Sequence, residues 1–463
     1  MKRFSRNFLA IIGSDIARRV LGFLAIAYLA RKVGVDNFGA INIGFAVISY
    51  AVMISAIGLT FYGTREIARG RTENLVNRIV SIRLVTGFVA YVVVFLITIL
   101  FVSRETAFLI MIFCFSLLPF SFLIEWYYQG RERMGYIGAG RLISAVIYFG
   151  LIFILVHSVE DIVWVAVAAV SGDFAHAIFL WIIYRKKFKG DKFHFIISGW
   201  RDLLKSSFPL GYGTLIGGLS ANLPQIILGI LMTNYEVGIY SAAIKLILFL
   251  LMFDRVLGTL LLPAGSRLQE ISPSLLTLTL TQAMKWILLL TLPICVGGSI
   301  LSEDIILFVF GSQYTESVVL FMILIWFFLF TMLHTIYTSG LIAIGKEKIY
   351  GKVMLISGFL YLVLITGGVL LIGATGTALG MVLSEVITFL IMRYHFHKIS
   401  ELKLPASIWK FLVSSLIMGI IVYMLPDIHV IYSIIIGMVI YILLIIVSKS
   451  VTVEEFISLI KKV

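Results

Sequence analysis

Three ionisable residues lie inside an otherwise apolar run, Asn7 to Ala30, that is long enough to cross a bilayer. Asp15, Arg18 and Arg19 stand eight to twelve residues past Asn7. At about 1.5 Å of rise per residue, a helix brings them close to the bilayer midplane. Ser14, Asp15, Arg18, Arg19, Gly22 and Ala25 follow helical spacing and share one face. A charge at that depth costs roughly 2.5 to 3.5 kcal/mol on insertion scales, so this face needs partner helices or a wet cavity around it. Asp15 and Arg19, four residues apart, can neutralise each other as an internal salt bridge. Arg18 then stays unpaired in its own helix, and its guanidinium fork suits an anionic, phosphate-bearing ligand.

Further polar residues interrupt other apolar runs. Asp173, in Val-Ser-Gly-Asp-Phe, and Glu385, in Leu-Ser-Glu-Val, are 212 positions apart. Buried acids in membranes serve proton relays and cation sites, or else hydrogen-bond one helix to the next. His176, one turn beyond Asp173, is a possible partner for it. Lys245 is a deep cation that would face a cavity, whereas Asp254 and Arg255 lie nearer a surface. The run from Pro209 to Gln225 is rich in glycine, including Gly217 and Gly218, and Pro224 removes a backbone hydrogen bond. A hinge is expected near Asn222; a close-packed glycine face is the alternative. Pro119 and Pro293 are expected to kink their helices as well.

The elements that must position these residues follow from composition. Hydrophobic residues make up 60% of the 463 and charged residues 13%, with a mean hydropathy of +1.07. This is an integral membrane protein. Apolar runs at 7–30, 38–62, 79–102, 106–124, 136–156, 162–184, 206–232, 237–262, 275–300, 318–344, 351–372, 377–392, 411–425 and 430–447 predict about fourteen transmembrane helices. The first is expected to be a retained span, because its charges and length do not fit a cleaved signal peptide. Cys114 and Cys295 both lie in apolar runs, which argues against a disulfide framework.

The net charge of +13 is topological. Of the 37 Lys and Arg residues, 29 fall on one side of the alternating spans and 3 on the other, with 5 inside spans. That asymmetry predicts a cytoplasmic-membrane protein with both termini in the cytoplasm, and it removes the case for nucleic acid. Asp36 to Gly39 matches Tyr235 to Gly238, and Gly130-Arg-Glu-Arg133 matches Gly345-Lys-Glu-Lys348. These repeats predict an all-α polytopic fold of two six-helix lobes, 1–200 and 201–400, related by a pseudo-two-fold axis along the membrane normal. Residues 401–463 add two helices and a tail.

No metal-ligand spacing, nucleotide-binding loop or catalytic triad is present in the sequence, so neither a catalytic residue nor a cofactor is expected. No extramembrane segment has room for a catalytic domain.

Gly13-Ser-Asp-Ile-Ala-Arg-Arg-Val-Leu-Gly-Phe23, Arg31-Lys-Val-Gly-Val-Asp-Asn-Phe-Gly39 and Glu125-Trp-Tyr-Tyr-Gln-Gly130 resemble polysaccharide-transport (Wzx-like) proteins of the multidrug/oligosaccharidyl-lipid/polysaccharide exporter superfamily. The resemblance implies a flippase that moves polyprenyl-pyrophosphate-linked oligosaccharide across the cytoplasmic membrane for surface polysaccharide assembly. It implies alternating access through a cavity lined by the first and seventh helices, coupling to a proton or sodium gradient, and contact with other polysaccharide-assembly proteins. On this reading Ser14, Asp15, Arg18, Arg19 and Lys245 bind substrate, Asp15, Asp173 and Glu385 serve ion coupling, and Gly217, Gly218, Asn222 and Pro224 form the hinge. A multidrug or peptidoglycan-precursor exporter of the same fold is the alternative. A cation-drug site would want a net acidic cavity, and these residues are net basic. A membrane glycosyl polymerase or ligase fits less well, because the outer loops are short.

Overall fold

The computed structural model describes the backbone of residues 2–71, 73–400, 402, 404–425 and 429–450, and the side chains of these except 2–19, 101, 210 and 212–221. Among them there is no strand. Seventeen α-helices are described: α1 (Lys2–Ala56), α2 (Leu59–Ala68), α3 (Leu75–Phe101), α4 (Arg104–Cys114), α5 (Leu117–Ser121), α6 (Glu125–Gly130), α7 (Met134–Leu155), α8 (Ile162–Lys187), α9 (Trp200–Leu231), α10 (Asn234–Leu250), α11 (Met252–Ile271), α12 (Pro273–Ile300), α13 (Ser302–Phe310), α14 (Ser317–Ala343), α15 (Glu347–His397), α16 (Ile408–Tyr423) and α17 (Val430–Val447). Helices satisfy every backbone group internally, which hydrocarbon demands.

All fourteen expected spans fall on helix, with α1 and α15 carrying two each. Among the described residues, ten helical segments are long and apolar enough to cross a membrane. The protein is therefore an all-α, multi-pass membrane protein. Large apolar side chains such as Phe88, Leu100, Leu371 and Val447 are exposed along α3, α15 and α17, as a lipid-facing surface requires.

The paired spans are separated by single backbone breaks. In α1 the break is Gly34, at φ 79° and ψ 167°. In α15 it is Gly373, at φ 61°, beside Ile372. These conformations favour glycine, so the chain reverses within a residue or two where the sequence predicts turns of four to seven.

The fourth span is two helices, α4 and α5, rather than one. Pro119 has no N–H to offer the Phe115 carbonyl, and the backbone there tightens to three-residue bonds, Phe115 N to Ile112 O and Ser116 N to Phe113 O. Pro293 and Pro224 are instead carried inside continuous helices. The eighth span also divides, at Leu251, where neither Gly nor Pro marks the sequence.

Packing separates the chain into two units, Met1–Ser241 and Ala242–Val463, which meet within α10. This is a division by contact, whereas the expected boundary at residue 200 is a division by repeat. Within each unit, the helix before a basic loop ends on the same cap. Arg133 N donates to Tyr128 O at 2.8 Å past Glu132 (φ 56°), and Lys346 N donates to Leu341 O at 2.9 Å past Gly345 (φ 72°). Glu132 is thus the counterpart of Gly345, a displacement of 213; the sequence match of Gly130 to Gly345 is two residues out of register.

The first unit holds an aromatic cluster at its basic-loop end. Trp126, Tyr127, Tyr128 and Tyr184 pack with Ile79, Leu180 and Leu203. Residues 188–199 lie against this cluster, held by Asn77 Nδ2 at 3.0 Å from His194 Nδ1 and by Ile196 N donating to Ser81 Oγ at 3.0 Å. Arg131 stands over the Tyr127 and Phe188 rings, 5.1 and 5.8 Å from their centroids.

Candidate functional site

The backbone of α1 is helical through Ser14, Asp15, Arg18 and Arg19, and the side chains of these four lie outside the described residues. Gly22, on the same face, borders open space: a Cβ added there would meet nothing within 4 Å. Farther along α1, Gly39 lies so close to the start of α10 that an added Cβ would overlap the Asn234 carbonyl oxygen. One at Gly238 would overlap the Val35 carbonyl oxygen. The two glycines matched in the sequence repeat therefore each meet the backbone of the other's helix.

Of the expected hinge residues, Gly217 and Gly218 lie outside the described side chains. Asn222 donates from Nδ2 to Ser49 Oγ at 3.2 Å, and Pro224 is buried inside α9. The second half of α1 thus runs beside α9. Lys245 is partly buried on α10 in the second unit, and no ion pair or hydrogen bond is recorded for its ammonium among the described residues.

Both matched acids are tied to the fourth span of their own half. Ser116, at the break between α4 and α5, donates to Asp173 Oδ2 at 2.7 Å. In the second unit, His334 Nδ1 on α14 is 3.0 Å from Glu385 Oε1 on α15. His176 does not partner Asp173. Its Nε2 lies instead 3.5 Å from Glu125 Oε1, and Arg141 grips that same carboxylate with both arms at 2.7 and 2.8 Å. The helical turn from Asp173 to His176 allowed a local pair, but helix packing aims the two side chains at different neighbours.

The second-unit site is larger than its single predicted residue. Thr331, His334, Thr335 and Thr338 repeat at three and four residues and share one face of α14. Thr335 donates to Asp254 Oδ1, and Asp254 interacts electrostatically with His334 and Glu385. The break at Leu251 places Asp254 in the first turn of α11, where the helix dipole favours a carboxylate. The oxygens of Thr331 and Thr338 and the Nε2 of His334 are buried without a hydrogen-bond partner. Two carboxylates, an imidazole and unused polar atoms thus converge inside the membrane-spanning part of one unit, an arrangement able to take up and release a cation.

Sequence reasoning found Glu385 but missed His334, Thr335, Ser116 and the part played by Asp254. His334 carries a signal of its own, a lone histidine in the apolar run 317–343. Ser116 carries none, because serines are common in these runs.

A family model described as "Polysaccharide biosynthesis protein" matches residues 4–269. A putative O-antigen transporter of Escherichia coli K12 is 25% identical over 408 residues, 84% of this chain and 95% of its own. The capsular polysaccharide biosynthesis protein CapF of Staphylococcus aureus is 25% identical over 279 residues, 58% of this chain and 69% of its own. Among solved structures, the lipid II flippase MurJ in an inward closed conformation superposes with a TM-score of 0.75 at 19% identity, covering 94% of this chain and 98% of its own. A multidrug resistance transporter of the MATE family, in an inward-facing conformation, reaches 0.65 at 15% identity over 83% of this chain and 96% of its own. At these identities the two structures speak to the fold.

Proposed function

This chain belongs to the polysaccharide biosynthesis protein family, and we propose that it is a flippase for polyprenyl-pyrophosphate-linked oligosaccharide in the assembly of surface polysaccharide. The observation that carries the reading is the match to the Escherichia coli putative O-antigen transporter along 95% of that relative. The multi-pass helical fold and the polar groups held within its spans support it. On this reading the protein moves its substrate and does not make it. The chain sits in the cytoplasmic membrane with both termini in the cytoplasm, a reading that the 29 to 3 split of cations supports. Two six-helix lobes, 1–200 and 201–400, alternate access to the substrate, and 401–463 adds two helices and a tail.

Arg18 takes the anionic head of the substrate near the midplane, with Ser14, Asp15, Arg19 and Lys245 around the path. Arg19 is neutralised by Asp15; the planar fork of Arg18 is left for phosphate. Gly217, Gly218, Asn222 and Pro224 let α9 bend as access alternates. Glu385 with His334, and Asp173 with Ser116, couple the cycle to a proton or sodium gradient. Glu385 and His334 face each other across α14 and α15, so a cation taken up or released there changes the charge of that contact. Other polysaccharide-assembly proteins supply and consume the substrate.

Deleting the gene in its host tests this reading. Surface polysaccharide should disappear while the lipid-linked precursor accumulates. Loss of the precursor itself would assign the chain to synthesis.

A further inference from the structure

We propose that a cavity at the basic-loop end of the first unit, built around Arg83, binds a phosphoryl anion. The cavity has a volume of about 180 Å³, well beyond the roughly 30 Å³ share of one water. Its walls include Ser55, Ala56, Arg83, Ser121, Glu125 and Trp126. Arg83 sits eight residues into α3 with only 7% of its surface exposed. By helical rise it lies roughly 12 Å from the start of the helix, within an apolar span.

A guanidinium has five N–H donors. Here one arm donates to Leu123 O at 3.0 Å and the other to Thr60 Oγ1 at 2.6 Å. The Nε is buried without an acceptor, as is Nε1 of Trp126 in the same wall. No salt bridge is recorded for Arg83 among the described residues. Glu125 is the carboxylate on this cavity, and both its oxygens are engaged by Arg141, with His176 3.5 Å away. Arg141 bonds both its oxygens and Arg83 feels the same charge through space, so two guanidiniums share one carboxylate and one positive charge is left over.

A buried cation that must share its counter-charge with a second cation is costly enough to be rare in a membrane protein. Two neighbouring unsatisfied donors, a surplus positive charge and room for a tetrahedral group call for an acceptor-rich anion. Phosphate or a phosphomonoester meets all three requirements, and its oxygens can bond the guanidinium bidentately. The site is separate from Arg18 and does not rest on the transport reading; a failed transport assay would leave the binding result standing.

The test is native mass spectrometry of the full chain in detergent, titrated with dioleoyl phosphatidic acid, with dioleoylglycerol as the phosphate-free control, and with sodium pyrophosphate as competitor. Arg83→Gln removes the charge, Trp126→Phe removes one N–H, and Ala56→Leu fills the cavity while leaving Arg83 in place. Phosphatidic acid should bind the parent in preference to dioleoylglycerol. Binding should weaken at least about tenfold in Arg83→Gln and in Ala56→Leu, and less in Trp126→Phe. Competition by pyrophosphate would identify a free phosphoryl anion as sufficient, and its absence would identify a lipid headgroup. If Arg83→Gln does not fold, Ala56→Leu decides. Equal binding of the two lipids by the parent without binding of pyrophosphate, or unchanged phosphate binding in folded Ala56→Leu, overturns the proposal.

Discussion

His334 Nδ1 lies 3.0 Å from Glu385 Oε1, so the acid of the twelfth span is joined to the tenth span by an imidazole rather than left alone in the membrane. Replacing Glu385 by Gln or His334 by Gln should each lower gradient-driven transport about tenfold or more. The double variant should be little worse than either single one, because groups that act as a unit are strongly non-additive. Transport with and without an imposed proton or sodium gradient reads this directly. Full gradient dependence in the double variant would leave the pair a structural tie between α14 and α15.

Gly39 and Gly22 lie on the same helix and predict opposite outcomes. Gly39→Ala must push against the Asn234 carbonyl and is expected to destabilise the protein by about 1–3 kcal/mol, visible as a lower thermal midpoint. Gly22→Leu enters open space beside the Asp15–Arg18 face, so its stability should stay within about 0.5 kcal/mol of the parent. Transport should nevertheless fall. A stable, fully active Gly22→Leu would remove that face from the substrate path.

Topology is tested by labelling. Single cysteines at Asn234 and Gln313 should react with an impermeant reagent from outside, and those at Lys189 and Lys348 only from inside. The reverse pattern would invert the orientation drawn from the cation split.

The helical spans and their polar interruptions were legible because hydrocarbon solvent leaves few choices: long apolar runs must be helical, and each charge inside one stands out. The register of pairing was not. Asp173 has His176 one turn away and yet meets Ser116, because helix packing, absent from local spacing, decides which neighbour a side chain faces. The break at Leu251 had no Gly or Pro to announce it, although it is what gives Asp254 a helix N-terminus. The two-residue slip between Gly130 and Gly345 has a similar origin: the cap geometry recurs, but its left-handed position is Glu132 in one half and Gly345 in the other.

Arg18 carries the central claim, that a midplane guanidinium holds the anionic head of a lipid-linked oligosaccharide during flipping. The most direct measurement is transbilayer movement of a fluorescent polyprenyl-pyrophosphate oligosaccharide in proteoliposomes containing the parent, Arg18→Lys or Arg18→Ala. Lys keeps the charge and loses the fork, so partial impairment is expected, whereas Ala should reduce the rate to near that of protein-free vesicles. Arg18→Ala that inserts normally and flips the substrate at the parent rate would contradict the account.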